Sequence, residues 1–448
     1  MPKGRVHFIS VGGAAMHNIA LEMHAIGYEV TGSDDEIYEP SLSRLRAAGI
    51  APDRLGWFPE KLQSQPDFVI LGMHARVENP ELIEAQRLGI PVYSYPEFMY
   101  NHSKDKVRIV VAGSHGKTTT TAMIIHALRK VGMETDYLVG AQLDGFDRMV
   151  KLSDAPVIVI EGDEYLSSPI HRIPKIHYYQ PQIAVITGIA WDHINVFPTF
   201  ENYCQQFEIF IDKMDASGTL IYYADDEVLC DMVSQYDHIQ NLPYTGLDIH
   251  ENREISYKNK SYPIAIIGHH NLCNMEAAML ACLQLGIDQH TFLNTMADFK
   301  GAAKRLQKIA ENSTRSLYLD FAHAPSKVST TLSAFKDWFG SKLVLAVLEL
   351  HTFSSLNKEF LPQYKDSLAK ADNAIVYYNQ HTLAMKTMPP LDAAFVKQAF
   401  GRQDLIIITD PNELKNCISS PDYTEHNILL MTSGNFNGME LHDIIPKR

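Results

Sequence analysis

The run Gly113-Ser114-His115-Gly116-Lys117-Thr118-Thr119 gathers residue types that can grip a polyphosphate. Its glycines allow a tight turn in which consecutive backbone N–H groups face an anion. A helix opening directly afterwards adds the positive end of its dipole. Lys117 is placed to reach terminal phosphates, and Thr118 can offer its hydroxyl to Mg²⁺. The commonest nucleotide loop carries a further glycine upstream, where this chain has Val111, so the loop reads as a tighter variant. The competing reading is an ordinary strand–helix turn, and the strand, loop and helix following in the order the chemistry needs argue against it.

Two more polar residues follow runs that read as buried strands. Glu161 comes after 157–160, and His193 comes after 183–189. If those strands neighbour the one before the loop, a carboxylate, an imidazole and the Thr118 hydroxyl meet Lys117 at one sheet edge. That donor set suits Mg²⁺ bound also to phosphate oxygens. Asp163 and Glu164 are equally able to supply the carboxylate, and spacing does not choose. Further on, Gly268-His269-His270-Asn271-Leu272-Cys273-Asn274 opens a helix expected over 275–285. Asn271 and Asn274 share a face of its first turn, where amides can read an adenine edge; simple capping by Asn271 is the alternative. Near the start, Gly12-Gly13 is a partial dinucleotide fingerprint, with Asp34 about 20 residues on, where a carboxylate can bond a ribose hydroxyl. A sheet of that type with no ligand reads equally well.

These residues need elements to carry them. Val107–Ala112 is short, β-branched and apolar, the pattern of a buried strand, and Ile124, Leu128 and Val131 after Thr118 keep helical spacing. Ahead of it, 5–11, 28–31 and 67–71 read as strands. Residues 16–26 read as a helix with Met16, Ile19, Ala20 and Met23 on one face. This is the βαβ order of a doubly wound parallel sheet. Past residue 305, strands are expected at 316–320, 343–348, 374–378, 405–408 and 427–431. Several end in polar residues, among them Asp320 with His323 and Glu349 with His351, at the carboxyl ends of strands where ligands of open parallel sheets gather. Pro91, Pro96 and the polar run Asn101-His102-Ser103-Lys104-Asp105 mark a change of domain. A chain of 448 residues, at about 150 per domain, divides into three. The expected class is α/β: a Rossmann-like domain over 1–104, a central P-loop ATPase-type parallel sheet over 105–304, and a second Rossmann-like domain over 305–448.

The formal net charge of −14 argues against a nucleic-acid or anionic-membrane surface, both of which need basic stripes. A phosphate site in such a chain must concentrate positive charge locally, and Lys117, Arg305 and Mg²⁺ are the means. No apolar run approaches the roughly 18 residues of a membrane span. The scattered Cys204, Cys230, Cys273, Cys282 and Cys417 form no C-x-x-C pair and read as reduced thiols of a cytoplasmic protein.

Taken together, Gly113 to Thr121, Glu161-Gly-Asp-Glu-Tyr165, Asp192-His193, Gly268 to Asn274, Lys304-Arg305, Asp320-Phe-Ala-His-Ala-Pro325 and Met431-Thr-Ser-Gly-Asn435 resemble the Mur ligases. These are ATP-dependent amide-bond-forming enzymes of cell-wall synthesis, and the motifs fall in the family's order along nearly the whole chain. The resemblance implies ATP and Mg²⁺ as cofactors, small-molecule substrates, and no nucleic-acid or membrane partner. It assigns ATP to Gly113, Ser114, His115, Gly116, Lys117, Thr118, Thr119, His270, Asn271, Asn274, Arg305 and Asp320, and the metal to Thr118, Glu161 and His193. Arg305 would reach the γ-phosphate, while Asp320 and His323 would help close the ATP site and place the incoming amine. The UDP part of the substrate would lie near Gly12, Gly13, Ser33, Asp34 and His74. Within the family, Thr31-Gly-Ser-Asp with Tyr38-Glu-Pro40, Tyr165, and Lys175-Ile-His-Tyr-Tyr-Gln-Pro181 look more like the recycling branch, which loads UDP-N-acetylmuramate with L-alanyl-γ-D-glutamyl-meso-diaminopimelate. The branch adding L-alanine is the alternative, and a P-loop phosphotransferase or regulatory NTPase is an alternative of another class. The chain departs from the family at His323-Ala-Pro325, where His-His-Pro is usual, and over 350–355, which lacks an arginine common in relatives.

Overall fold

The computed structural model describes residues 3–73, 75–140, 146, 148–191, 196–249, 254–258, 260–264, 266–299, 301, 305–386 and 388–445. His74, Asp192, His193 and Lys304, singled out above, lie outside the described residues.

The first sheet is built from β1 (Arg5–Ile9), β2 (Glu29–Ser33), β3 (Phe68–Leu71) and β4 (Val92–Ser94), with α1 (Ala14–Ala25), α2 (Ser41–Ala47), α3 (Pro80–Arg87) and α4 (Tyr95–His102) between and after them. Its order is β2-β1-β3-β4, all parallel. Strand β1 is interior, which is why Phe8 and Ile9 are fully buried and its sequence is a near-continuous apolar run. His7 interrupts that run. Its ring is satisfied by Thr31 Oγ1 at 2.8 Å and Glu81 Oε2 at 3.2 Å, so the polar group is buried without loss. The chain leaves β1 through Ser10, at φ +67°, and α1 begins at Ala14.

The second sheet holds β5 (Val107–Ala112), β6 (Thr135–Leu138), β7 (Val150–Lys151), β8 (Val157–Glu161), β9 (Ile183–Ile186), β10 (Thr219–Tyr223) and β11 (Gln240–Tyr244). Its order is β11-β10-β9-β5-β8-β6-β7, parallel except for the β6–β7 edge. Strand β5 sits between β8 and β9 with Ile109, Val110 and Val111 fully buried. The helices of this region are α5 (Lys117–Lys130), α6 (Phe200–Asp212), α7 (Glu227–Val233), α8 (His269–Gln284) and α9 (Gln289–Met296), and β12 (Glu254–Tyr257) pairs with β13 (Lys260–Pro263) as a small hairpin. Strand β9 is shorter than the apolar run suggests: Gly188, at φ +114°, turns the chain just past Ile186.

The third sheet comprises β14 (Gln307–Glu311), β15 (Ser316–Asp320), β16 (Val344–Glu349), β17 (Asn373–Tyr377), β18 (Ile406–Ile408) and β19 (Asn427–Met431), accompanied by α10 (Pro325–Phe339), α11 (Gln380–Met385), α12 (Ala393–Phe400) and α13 (Pro411–Ile418). Its order is β14-β15-β19-β16-β17-β18. Only β14 runs antiparallel to its neighbour. It was not visible in the sequence because Gln307 to Glu311 alternates weakly and is half exposed.

By contact density the chain divides into two units. One holds Met1–Ile264 and Leu272–Phe299, and so the first two sheets; the other holds Ala265–Asn271 and Lys300–Arg448, and so the third. The α/β class with several mostly parallel sheets is the architecture the sequence implies. All five cysteines are free thiols. Among the described residues no helix is long and apolar enough to cross a membrane.

Candidate active site

At the carboxyl end of β5 the backbone makes two approaches that only glycine permits. Gly113 lies at φ +117° and Gly116 at φ +82°. A Cβ on Gly113 would collide with Thr187 Oγ1 and stand 2.7 Å from the Thr187 backbone nitrogen; one on Gly116 would collide with Asn274 Oδ1. At Gly113 and Gly116 the loop is thus bare main chain, and it is held against the segment after β9 by Ser114 N donating to Gly188 O at 2.9 Å. Helix α5 starts at Lys117 with no acidic residue of its own in its first turn, and its positive end lies at the end of the loop. A cradle closed to side chains, ending at a helix N-terminus, fits a polyphosphate.

Strand β8 lies beside β5 with Glu161 opposite Val111. That register sends Glu161 toward α5, where Thr118 Oγ1 donates to Glu161 Oε1 at 2.7 Å. Gly140 N donates to Oε2 at 2.7 Å. A hydroxyl and a carboxylate already in contact are oxygen donors of the kind a hard divalent cation takes. Among the described residues no three histidine, cysteine or acidic side chains converge on a metal cage.

The three carboxylates that spacing could not separate have three different partners. Glu161 faces Thr118. Asp163 takes the Lys175 ammonium and the Tyr165 N–H, the latter at 3.0 Å. Burial would raise the Asp163 carboxyl, and Lys175 and Lys117 outweigh it, holding it below its ordinary value. Glu164, almost fully buried, accepts from Lys117 Nζ at 2.9 Å and from Tyr203 OH at 3.0 Å. Lys117 Nζ also donates to Gly113 O at 2.5 Å. Burial pulls the Lys117 ammonium down, but Glu164, Asp163 and Glu161 together raise it, so it stays charged. Thr119 is buried in the first turn of α5, and His115 is exposed, its carbonyl accepting from Thr187 Oγ1.

In the first sheet, Gly12 N donates to Asp34 Oδ2 at 2.7 Å. Burial nevertheless pushes the Asp34 carboxyl up to about 6, the Gly12 and Glu36 amides opposing it. Gly13 O accepts from His17 Nδ1 at 2.9 Å. Ser33 is fully buried and bonded to Lys61 Nζ at 3.0 Å.

The other unit carries its own cluster. Asp320 accepts Leu306 N at 2.8 Å and Ala322 N at 2.7 Å, tying the segment of Arg305 to the end of β15. The Arg305 guanidinium lies 5.0 Å over the Phe321 ring. His323 Nδ1 is 2.8 Å from Phe321 O. His270 is lowered from its ordinary value by burial, against the pull of Asp320. Capping by Asn271 is corrected: α8 begins at His269, so Asn271 is already helical and its Nδ2 donates back to Ile267 O at 2.7 Å. The helix starts ahead of the expected position because Gly268, at φ +89°, turns the chain directly into it. Asn274 lies against Gly116.

Tyr203 and His17 were not found from sequence, and Lys175 was named there only as part of the 175–181 stretch. Tyr203 lies 39 residues from Glu164 on α6, and nothing in its surroundings distinguishes it from a core tyrosine. Lys175 opens a 3₁₀ turn after Pro174 and lies beside Asp163 and over the Tyr95 and Tyr165 rings, each 5.7 Å away.

Comparison with known proteins gives two family matches, the Mur ligase catalytic domain over residues 5–106 and the Mur ligase middle domain over residues 111–282. A UDP-N-acetylmuramate–L-alanine ligase of Mycolicibacterium gilvum is 31% identical over 83% of this chain and 82% of its own length. A UDP-N-acetylmuramate–L-alanyl-γ-D-glutamyl-meso-2,6-diaminoheptandioate ligase of Haemophilus influenzae is 26% identical over 97% of both chains. Among solved structures, UDP-N-acetylmuramate–alanine ligase of Thermotoga maritima shares the fold with TM-score 0.71 at 21% identity, covering 97% of both chains. A murein peptide ligase of Psychrobacter arcticus does so with TM-score 0.64 at 22% identity over the same 97% of each.

Proposed function

The chain belongs to the Mur ligase family and is an ATP-dependent ligase of peptidoglycan metabolism; within that frame we propose that it joins UDP-N-acetylmuramate to the tripeptide L-alanyl-γ-D-glutamyl-meso-diaminopimelate. The observation that carries the chemistry is the pairing of Lys117 with Glu164 and of Thr118 with Glu161 where β5 and β8 end. The choice of acceptor is supported by the stretches at 31–40, Tyr165 and 175–181. Two of these contribute to one cluster, with Lys175 held by Asp163 and stacked near Tyr165, next to the carboxylates that serve Lys117. The full-length match to the Haemophilus tripeptide ligase points the same way. A second reading, with free L-alanine as acceptor, is favoured by the relatives that carry that name.

A carboxylate is a poor electrophile toward an amine. ATP first phosphorylates the lactyl carboxylate of the sugar, with ADP leaving. The amino group of the acceptor's alanine then attacks the acyl carbon, the C–O bond to phosphate breaks, and inorganic phosphate departs with the amine's proton passed to solvent. The loop amides and the charged Lys117 ammonium stabilise negative charge on the phosphoryl oxygens during transfer. A magnesium ion held by Thr118 and Glu161, with His193 assigned from sequence, would supply further neutralisation of that charge. Asn274 beside Gly116 serves the nucleotide, and the resemblance assigns His270, Asn271, Arg305, Asp320 and His323 to the same reaction. Gly12, Gly13 and Asp34 serve the UDP group, and the reaction is cytoplasmic.

The test is phosphate release from ATP with UDP-N-acetylmuramate, measured once with L-alanine and once with the tripeptide. Turnover with tripeptide and none with L-alanine is expected. The reverse establishes the second reading, and ATP hydrolysis independent of the UDP-sugar overturns both.

A further inference from the structure

His17 is buried in the first turn of α1 and takes no part in the chemistry described above. Its neighbours fix which ring nitrogen carries the hydrogen. Asn18 Nδ2 lies 2.8 Å from Ala14 O, which can only accept, and Asn18 Oδ1 lies 3.2 Å from Met149 N, which can only donate. The amide therefore has one orientation, and its Nδ2 also faces His17 Nε2 at 3.0 Å. Nε2 must accept there, so the neutral ring holds its hydrogen on Nδ1. Burial, with Arg44 adding to it and the Gly13 carbonyl opposing, keeps the ring below its ordinary value and so neutral. Nδ1 donates to Gly13 O at 2.9 Å, with Ser41 Oγ 3.0 Å from the same nitrogen. The His17 backbone N–H donates to that carbonyl as well, at 2.9 Å. One residue thus grips Gly13 O twice. Met149 stands immediately before β7, and Glu22, one turn after Asn18, accepts from Leu152 N just beyond it at 3.1 Å. The face of α1 that carries Asn18 is clamped in this way to the edge of the second sheet.

We propose that His17 is a positioning residue for the sugar nucleotide: it aims the Gly13–Ala14 peptide at the diphosphate, and the second sheet imposes the tautomer that does so. The proposal rests on reading Gly12, Gly13 and Asp34 as the UDP site. In a trans peptide the C=O and the N–H point in opposite directions. Holding the Gly13 carbonyl toward α1 therefore turns the Ala14 N–H outward from the helix N-terminus, where an anion arrives. Gly13 brings no capping side chain, and α1 has no acid in its first turn, so neither competes with a ligand there. The other side of the turn is fixed separately, by Gly12 N donating to Asp34 Oδ2 at 2.7 Å. The opposite tautomer would set a hydrogen on Nε2 against the Asn18 amide hydrogens. It would also leave Nδ1 with nothing to give Gly13 O, and the peptide would lose that restraint. A histidine that only filled space would be indifferent to the choice.

The experiment has two arms, both on the full chain. Nitrogen-15 NMR of the wild-type histidine rings near neutral pH reads the tautomer directly. The His17 hydrogen is expected on Nδ1, and a hydrogen on Nε2 overturns the proposal. The second arm is steady-state kinetics in UDP-N-acetylmuramate, with ATP and the acceptor that supports turnover, for wild type, His17→Phe, His17→Asn and Asp34→Ala. His17→Phe keeps a ring and removes the donor. His17→Asn returns a donor, as Asn18 itself donates to the carbonyl four residues back. His17→Phe is expected to raise KM for the UDP-sugar about tenfold, the worth of one hydrogen bond to a charged group. Its kcat and its KM for ATP should change little, and His17→Asn should recover most of the loss. His17→Ala, run in parallel, takes the place of His17→Phe if that variant does not fold. A fall in kcat alone, or a His17→Asn no better than His17→Phe, assigns the residue to packing and overturns the proposal. Asp34→Ala tests the reading beneath it. If its KM is unchanged, or the wild type does not saturate with the UDP-sugar, the UDP site lies elsewhere and both readings fall. A raised KM in Asp34→Ala beside an unmoved one in His17→Phe strikes the proposal alone.

Discussion

Asp34 gives the sharpest pH-dependent consequence of the fold. Its carboxyl is buried at the end of β2, and burial lifts it from 3.8 to about 6 even though Gly12 N donates to it. The folded chain therefore binds this proton more tightly than the unfolded chain, by roughly 3 kcal/mol. Well below 3.8 both states are protonated and the group contributes no pH dependence. As the pH rises toward about 6, the unfolded state ionises first, so stability falls; above that both states are ionised and the full cost persists. Asp34→Asn keeps an oxygen to accept from Gly12 N and removes the titration. The assay is urea denaturation of wild type and variant across that range, followed by a signal from the first sheet. The stability difference between the variant and the wild type should move in favour of the variant by roughly 2 kcal/mol from about pH 4 to about pH 7.5, whatever its starting offset. Parallel curves would mean that Asp34 is not desolvated, and the argument from burial would be wrong.

Two more outcomes follow from the same geometry. Lys117→Ala should abolish amide formation while UDP-N-acetylmuramate, followed by equilibrium binding, still associates; near-normal ATP hydrolysis with both substrates present would refute the role of Lys117. Lys106 Nζ lies 2.6 Å from Asp136, whose carboxylate is fully buried and also accepts from His102 and Ser153. Lys106→Met leaves that carboxylate short of its ammonium and should cost about 3 kcal/mol of stability, read as a lower denaturation midpoint.

The cradle was legible from the chain itself because everything that makes it is local. A β-branched run, glycines at the turn and Lys-Thr at the next helix lie within one short stretch, and their consequences need no knowledge of distant residues. The same holds for the α/β order, whereas Glu161, which spacing could not separate from Asp163 and Glu164, meets Thr118 only because β8 pairs with β5. What the chain could not disclose is which distant group completes each contact. Asp163 and Glu164 are adjacent and chemically alike, yet one turns to Lys175 and the other to Lys117. That difference depends on which side of β8 the following loop folds over, and on α6 bringing Tyr203 across to Glu164. Asn271 is helical rather than a cap because the turn at Gly268 sets where α8 starts. Local spacing determines what a residue can donate or accept, whereas strand pairing and side-chain packing decide which partner it meets, because those distances are set by contacts between parts of the chain far apart in sequence.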